Sequence, residues 1–204
     1  MDRHGLRDKA ISQRSARICQ YGRVTIWALI VVDMQTGFLI GDSAVPDAGR
    51  LVARVTDLLE RARRAGALVV HLRNDGVAGA IDEPGSPGWR LYLPVRSSSD
   101  EMVIRKTEDD GFEGTGLADL LGERHIDAVV VCGLMSEMCV SATARTALAR
   151  GLRVLVPHDS HATYDIPAAP SISEAIPAAI VSRVAEWALG DRVEIVAHGA
   201  EIVF

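Results

Sequence analysis

Four short apolar runs rich in β-branched residues set the main constraint on the fold of this chain. They are WALIVV at 27–32, ALVVHL at 67–72, DAVVVC at 127–132 and RVLVP at 153–157. Apolar runs of this length, bounded by polar residues, are typical of buried strands. Segments with helical spacing separate the runs, which predicts parallel strands joined by right-handed crossovers. The expected fold class is therefore α/β, a three-layer Rossmann-like parallel β-sheet with helices on both faces.

The spacing of apolar residues also predicts the helices. The clearest helix covers residues 45–65, with apolar side chains every three or four positions and Gly66 as its C-terminal stop. A last helix is expected at about residues 172–188, and the VEIV segment at 193–196 is expected to be an edge strand.

The stretch VVVCGLMSEMCV at 129–140 carries a cysteine where a buried strand gives way to a helix. Gly133 ends the strand and Ser136 is the expected N-cap, which puts Cys139 in the first helical turn. The helix dipole at that position favours an anion, so the pKa of Cys139 is expected below that of a free thiol. Cysteine is also a common core residue, and Cys132 inside the strand is expected to be one.

Two more ionisable residues follow predicted strands. Asp33 comes directly after WALIVV, and Lys106 follows the run at 102–105. Ligands of open parallel sheets bind outside the carboxyl ends of the strands, so Asp33, Lys106 and Cys139 are expected to converge in space. Taken singly, Asp33 as a turn residue and Lys106 as a solvated charge are the ordinary alternatives.

These motifs make the chain similar to the isochorismatase-like cysteine hydrolases, the superfamily that includes nicotinamidases and N-carbamoylsarcosine amidohydrolases. The resemblance rests on ALIVVDMQTGF, RKTEDDGFEGTGLADLL, DAVVVCGLMSEMCVSATARTAL and GLRVLVPHDSHAT. It implies the fold of that superfamily and a catalytic triad of Asp33, Lys106 and Cys139. It also implies a cis peptide bond between Leu134 and Met135.

The resemblance implies an amide hydrolase. The Cys139 thiolate attacks a carbonyl carbon while Asp33 takes the thiol proton and passes it to the leaving nitrogen. Lys106 keeps Asp33 ionised and favours the thiolate, and the backbone N–H groups of Met135 and Cys139 form the oxyanion hole. The predicted activity is cleavage of a C–N bond in a small amide, lactam or carbamoyl compound through a thioester. Streptothricin hydrolases, which open a lactam in a basic antibiotic, resemble the chain around HATYD.

Two alternatives stay open at the level of the sequence. An isochorismatase-type vinyl-ether hydrolase keeps the same fold, but isochorismatases typically lack the nucleophilic cysteine. A non-catalytic binding scaffold keeps the pocket, and the complete triad weighs against it.

Further residues near the predicted site are candidates for substrate binding, although each is equally compatible with loop packing. They are Gln35, Phe38, Trp89, Phe112 and His161. The long polar loop at 73–99 is expected to form a lid or an interface. The acidic run at 108–110 is either a solvated loop face or a receptor for a cationic arm of the substrate.

Neither a metal nor another cofactor is expected. Nicotinamidases carry an Asp-x-His metal motif with further histidines, whereas Asp47 here has no histidine two positions later and His71 stands alone. The net charge of −5 does not support binding to nucleic acid or to an anionic membrane surface. No apolar run approaches the length of a membrane span.

The remaining expectations concern organisation. Residues 1–25 are polar and rich in arginine and are expected to be a disordered N-terminal extension, whereas residues 26–204 are expected to be one hydrolase domain. Three cysteines at scattered spacings suggest reduced thiols and a cytoplasmic protein. Members of the superfamily often assemble, so a homo-oligomer, a dimer or tetramer, is expected.

Overall fold

A computed structural model describes residues 25–204, and their backbone forms a seven-stranded parallel sheet. In chain order the strands are β1 (Trp27–Val32), β2 (Leu68–Asn74), β3 (Glu101–Lys106), β4 (Ala128–Leu134), β5 (Arg153–Pro157), β6 (His161–Ala162) and β7 (Glu194–Val196). The order across the sheet is β3-β2-β1-β4-β5-β7, with β6 paired to the end of β4. All of these pairs are parallel, as the alternation of strands and helices predicts.

Helices connect the strands. They are α1 (Thr36–Leu39), α2 (Ala48–Ala65), α3 (Leu117–Glu123), α4 (Ser141–Ala149) and α5 (Ala178–Ala188), with a π-helical turn at Ser136–Val140 and 3-10 turns at His158–Ser160 and Gly199–Glu201. Helix α2 confirms the clearest helix of the sequence. It ends at Gly66, whose φ of 71° is a left-handed conformation that glycine adopts without steric cost.

The last helix is shorter than expected. Helix α5 begins after Pro177, so the expected start at about residue 172 is wrong. A proline disfavours helical backbone at the residue before it. Ile176 accordingly takes part in an antiparallel bridge with Ile166 instead of a helical turn. The edge strand expected from VEIV is present as β7.

The core lies in two layers on opposite faces of the sheet. Ala28, Ile30 and Val32 pack in one cluster with residues of α3 and α4, whereas Leu29 and Val31 pack in the other cluster with residues of α2. Side chains alternate between the two faces of a strand, and both faces of β1 are covered. This explains why β1 is a continuous apolar run, and it confirms the three-layer α/β fold.

The parallel pairing puts the ends of the strands at one edge. Strand β1 lies between β2 and β4, and β3 pairs with β2 such that Asn74 is opposite Lys106. Asp33, Lys106 and the segment leading to Cys139 therefore emerge from the same side of the sheet.

Some expectations stay predictions. The N-terminal extension expected at 1–25 lies outside the described residues, apart from residue 25, and the single domain at 26–204 also stays a prediction. Within the described part of the chain, no helix has the length and apolar character needed to cross a membrane. The expected homo-oligomer and cytoplasmic location likewise stay predictions.

Candidate active site

The side chains of Asp33, Lys106 and Cys139 meet at the carboxyl edge of the sheet. Lys106 Nζ lies 2.8 Å from Asp33 Oδ2 and 3.3 Å from Cys139 Sγ. All three residues are buried, with 3%, 2% and 9% of their surface exposed. A lysine is rarely buried to this extent unless an opposite charge compensates it, and Asp33 is that charge. The predicted convergence of the three residues is thus a property of the structure.

A left-handed backbone turn at Asp33 ends β1. Asp33 has a φ of 48°, which residues other than glycine adopt only when their surroundings hold them there. Its N–H donates to the carbonyl of Leu72 at 3.0 Å, and its own carbonyl accepts from Gln35 N–H at 2.7 Å. These bonds fix the point at which the chain leaves the sheet.

A close approach between β1 and β4 sets the position of the cysteine segment. Gly133 has a φ of 114°, and a Cβ there would lie 2.0 Å from the carbonyl oxygen of Val32. Only glycine fits this position. The peptide bond between Leu134 and Met135, directly after this glycine segment, is cis, which confirms the expectation from the family resemblance.

The segment that carries Cys139 differs from the expected helix start. Met138, with a φ of −104° and a ψ of −106°, interrupts the turn at Ser136–Val140, so the helical backbone that continues into α4 begins at Cys139 and the residue that precedes it is Met138. Cys139 thus lies in the first turn, as expected. The assignment of Ser136 as N-cap is therefore wrong. The Ser136 hydroxyl instead lies 2.8 Å from His161 Nδ1. The roles of the Met135 and Cys139 N–H groups as oxyanion donors stay predictions.

The charges of the site determine its protonation. Burial raises the pKa of the Asp33 carboxyl, although Lys106 opposes the shift. Burial also raises the pKa of the Cys139 thiol, and the negative charge of Asp33 raises it further, while Lys106 again opposes. For Lys106, burial lowers the pKa, but the charges of Asp33 and Cys139 raise it by more, so the net direction is upward.

The expectation of a lowered Cys139 pKa is wrong for this resting geometry. Because the thiol is buried beside a carboxylate, its neutral form is favoured, and this outweighs the single nearby cation. Asp33 Oδ1 is buried and accepts no hydrogen bond from residues 25–204. The site thus combines a thiol whose neutral form is favoured, a carboxylate oxygen without a hydrogen-bond donor among residues 25–204, and a buried ammonium.

Asn74 belongs to the site, although the sequence patterns do not predict it. Lys106 Nζ also donates to Asn74 Oδ1 at 3.3 Å and to the carbonyl of Glu108 at 3.1 Å. Asn74 is held in turn by Asp82, which accepts from its side-chain amide at 2.6 Å. Asn74 is the last residue of β2, and side chains at the ends of parallel strands are expected to share one edge of the sheet, as Asp33 and Lys106 do. The apolar run at 67–72 predicts an end of β2 two residues before Asn74, so Asn74 is not among the predicted residues.

Three of the residues expected to bind substrate, Gln35, Phe38 and Trp89, contact other parts of the protein. Gln35 is fully buried and bonds the backbone of Asn74 and Trp89. Phe38 packs against the core cluster that contains α2. The Trp89 indole N–H donates to Asp75 at 2.7 Å. These three side chains are tied into the fold beside the site, and their contact with a substrate stays a prediction.

The side chains of Phe112 and His161 also contact other parts of the protein. Phe112 is buried in the same core cluster as Cys139. His161 is bonded at Nδ1 to Ser136 and at Nε2 to Glu186 Oε1, at 2.8 and 2.9 Å. Substrate contact stays a prediction for both.

One cluster in the described part of the chain has the spacing of a metal site. The ligand atoms of His158, His161 and Glu186 lie within 4.8 Å of one another. The two histidines are hydrogen bonded to the same Glu186 oxygen, at 2.6 and 2.9 Å, so the cluster is satisfied by its own members. The expectation of no metal and no cofactor stays a prediction.

Comparisons with known proteins agree with the fold. The family model described as the isochorismatase domain matches residues 27–175. A streptothricin hydrolase of Streptomyces noursei is 56% identical over 204 residues, which is 100% of this chain and 79% of the relative. The chain belongs to the isochorismatase family of hydrolases.

Solved structures give the same result. An isochorismatase from Pseudomonas putida KT2440 superposes with a TM-score of 0.79 at 27% identity, covering 94% of this chain and 97% of that one. An N-carbamoylsarcosine amidase from Thermoplasma acidophilum superposes with a TM-score of 0.69 at 28% identity, covering 88% and 100%.

Proposed function

We propose that this chain is a cysteine-dependent hydrolase that cleaves a C–N bond, in an amide, lactam or carbamoyl group of a small molecule. The observation that carries the proposal is the contact of one buried ammonium, Lys106 Nζ, with both Asp33 Oδ2 and Cys139 Sγ. A nucleophile, a base and a cation within hydrogen-bonding distance are what acyl transfer through a thioester requires.

Asp33 is the proposed general base. Its free Oδ1 accepts the thiol proton as Sγ attacks the carbonyl carbon, and the proton then passes to the departing nitrogen. The transfer turns a thiol and a carboxylate into a thiolate and a carboxylic acid, so the net charge of the buried site does not change. Lys106 stabilises the negative charge on either atom, because it contacts both side chains.

The raised thiol pKa fits this order of events. A thiol that holds its proton at rest needs a base during attack, and Asp33 is the carboxylate whose charge acts on it most strongly. The N–H groups of Met135 and Cys139 are the proposed donors to the oxyanion of the tetrahedral intermediate. Water then hydrolyses the thioester, with Asp33 again as base.

Streptothricin is the first substrate to test, because a streptothricin hydrolase is 56% identical to this chain over 204 residues. The N-carbamoylsarcosine amidase with the same fold supports C–N cleavage more generally. The purified protein is incubated with streptothricin, simple lactams and linear amides, and products are followed by mass spectrometry. We expect a product heavier than the substrate by one water, or the two fragments of an amide.

Variants make this test specific. Cys139→Ala should reduce kcat on the order of 10³-fold or more, and Asp33→Asn by about 10²- to 10⁴-fold. Cys132→Ala is the matched control, since Cys132 is fully buried within β4 and packs in the core cluster with α2, whereas Cys139 packs in the other cluster, and it should leave kcat unchanged. The proposal would be rejected in favour of an ether hydrolase if the wild type hydrolysed no amide and the Cys139→Ala variant still hydrolysed isochorismate.

A further inference from the structure

A second carboxylate, that of Asp109, lies beside the thiol. Asp109 Oδ1 is 3.5 Å from Cys139 Sγ, and Asp109 is exposed to solvent in the loop after β3. The Cys139 thiol donates to Asp109 Oδ1, and the Asp109 side chain has no other hydrogen-bond partner among residues 25–204. Groups attached to a carbonyl that binds at Sγ therefore come within reach of Asp109.

The acidic residues on either side of Asp109 have other contacts. Asp110 accepts from the Thr146 hydroxyl at 2.6 Å and from the Phe112 N–H at 3.0 Å, so it holds its own loop to α4. The Glu108 side chain accepts from the adjacent Thr107 hydroxyl at 3.3 Å and is not bonded to the thiol. Asp109 is thus the member of the acidic run whose carboxylate faces the nucleophile.

The charges around the thiol do not balance. Asp33 pairs with Lys106, and the nearby Asp82 is hydrogen bonded to Asn74, so the negative charge that lies directly beside the thiol is that of Asp109. This charge opposes formation of the thiolate and of the oxyanion, and no side chain of residues 25–204 forms an ion pair with it. The buried Asp33 Oδ1 is a further acceptor at the site, and it has no hydrogen-bond donor among residues 25–204. Both observations point to a positive, hydrogen-bond-donating group that the protein itself does not supply.

We propose that Asp109 forms a subsite for a cationic group of the substrate, an ammonium or guanidinium placed next to the scissile carbonyl. The cation pairs with Asp109 through charge-assisted hydrogen bonds and neutralises the negative charge beside the thiol. It also removes the repulsion that Asp109 exerts on the thiolate, so the nucleophile is activated when the cationic substrate binds. The subsite rests on the proposed function, because it names the substrate class of the same site.

Paired substrates test the subsite. A small amide that carries an amino group next to the carbonyl is compared with its neutral isostere, for the wild type, Asp109→Asn and Glu108→Gln. The two variants lose the same charge from adjacent exposed positions. We expect Asp109→Asn to lower kcat/KM for the cationic amide about 10-fold or more. For the neutral amide, kcat/KM should stay unchanged or rise. Glu108→Gln should change neither by more than about 2-fold.

An equal loss on both amides would overturn the proposal, since it would show that Asp109 acts on the thiol proton rather than on the substrate charge. Equal effects of Asp109→Asn and Glu108→Gln would also overturn it, because general surface charge would then be the cause.

Thiol labelling tests the same subsite without turnover. Cys139 is modified with aminoethyl methanethiosulfonate, which is cationic, or sulfonatoethyl methanethiosulfonate, which is anionic. In both reactions the thiolate forms a disulfide with the reagent and methanesulfinate leaves. At low ionic strength, the ratio of cationic to anionic rates at Cys139 should fall about 5- to 10-fold in Asp109→Asn and stay unchanged in Glu108→Gln.

An unchanged ratio in Asp109→Asn would overturn the subsite even if amides are hydrolysed. A reduced ratio in a protein that hydrolyses no amide would instead reject the proposed function and keep the cation subsite.

Discussion

Replacing Lys106 with methionine should destabilise the protein far more than the loss of an exposed charge. The Lys106 side chain is fully buried, with Nζ 2.8 Å from Asp33 Oδ2, and the Asp33 side chain is 4% exposed. At an effective dielectric constant of about 20, two unit charges at this distance attract by roughly 6 kcal/mol. Desolvation offsets part of that attraction, and breaking one side of a buried pair typically costs about 3–5 kcal/mol. We expect a loss of unfolding free energy in that range.

The double variant separates the ion pair from other effects of the substitution. Asp33→Asn alone leaves Lys106 charged and buried, so it should also be costly, whereas Asp33→Asn with Lys106→Met removes both charges. The double variant should therefore be less destabilised than the sum of the single variants, by about 3 kcal/mol or more. Urea denaturation measures each corner of this cycle.

The pH dependence of Lys106→Met provides a further check. Without the ammonium, the pKa of the buried Asp33 carboxyl rises further above its unfolded value of about 3.9. The folded variant then binds a proton that the unfolded chain releases. Its stability should be highest in acid and fall as the pH rises from that unfolded value through the folded pKa.

Arg105→Met is the matched control. The Arg105 side chain is 54% exposed and pairs with Asp75 at the surface, so its loss should cost less than about 1 kcal/mol. A coupling between Asp33 and Lys106 below about 1 kcal/mol, or equal costs for Lys106→Met and Arg105→Met, would refute the assignment of a tightly coupled buried pair.

Two further predictions concern the strand that leads to the cysteine. Gly133→Ala should cost at least about 3 kcal/mol of unfolding free energy in urea titrations, because its Cβ would lie 2.0 Å from the Val32 carbonyl oxygen at a φ of +114°. Gly122→Ala, with nothing within 4 Å of the added Cβ, should cost nothing, and equal effects would contradict the close approach. Burial raises the pKa of the Cys132 and Cys139 thiols, so stability is fully present below the unfolded thiol pKa of about 8.5 and should fall as the pH rises above it. Cys132→Ala should remove up to about 1.4 kcal/mol per pH unit from that decline, and an unchanged alkaline slope would contradict the raised pKa.

The sequence predicts the layers of the fold because they depend on local patterns. The apolar face of α2 and its glycine stop are visible in the spacing of residues 48–66, and the fully apolar β1 indicates a strand covered on both faces. The positions of Asp33 and Lys106 follow from one general rule, that side chains after parallel strands share an edge of the sheet.

The electrostatics of Cys139 could not be predicted in the same way. A helix start favours a thiolate locally, but the pKa of this thiol depends on its burial and on Asp33, which is 106 positions away in the sequence. Asp109 and Phe112 illustrate the same difficulty within one loop. Asp109 faces the thiol and Phe112 enters the core, and only tertiary packing distinguishes the two.

The most direct test of the proposed mechanism is mass spectrometry of the intact protein, quenched during turnover of the amide or lactam that it hydrolyses. A thioester mechanism predicts a transient acyl adduct that maps to the peptide containing Cys139 and is absent from Cys139→Ala. For a lactam, the adduct has the full mass of the substrate, because the released amine stays attached to the acyl group. Turnover by Cys139→Ala at the wild-type rate, or an adduct on another residue, would contradict the assignment of Cys139 as the nucleophile.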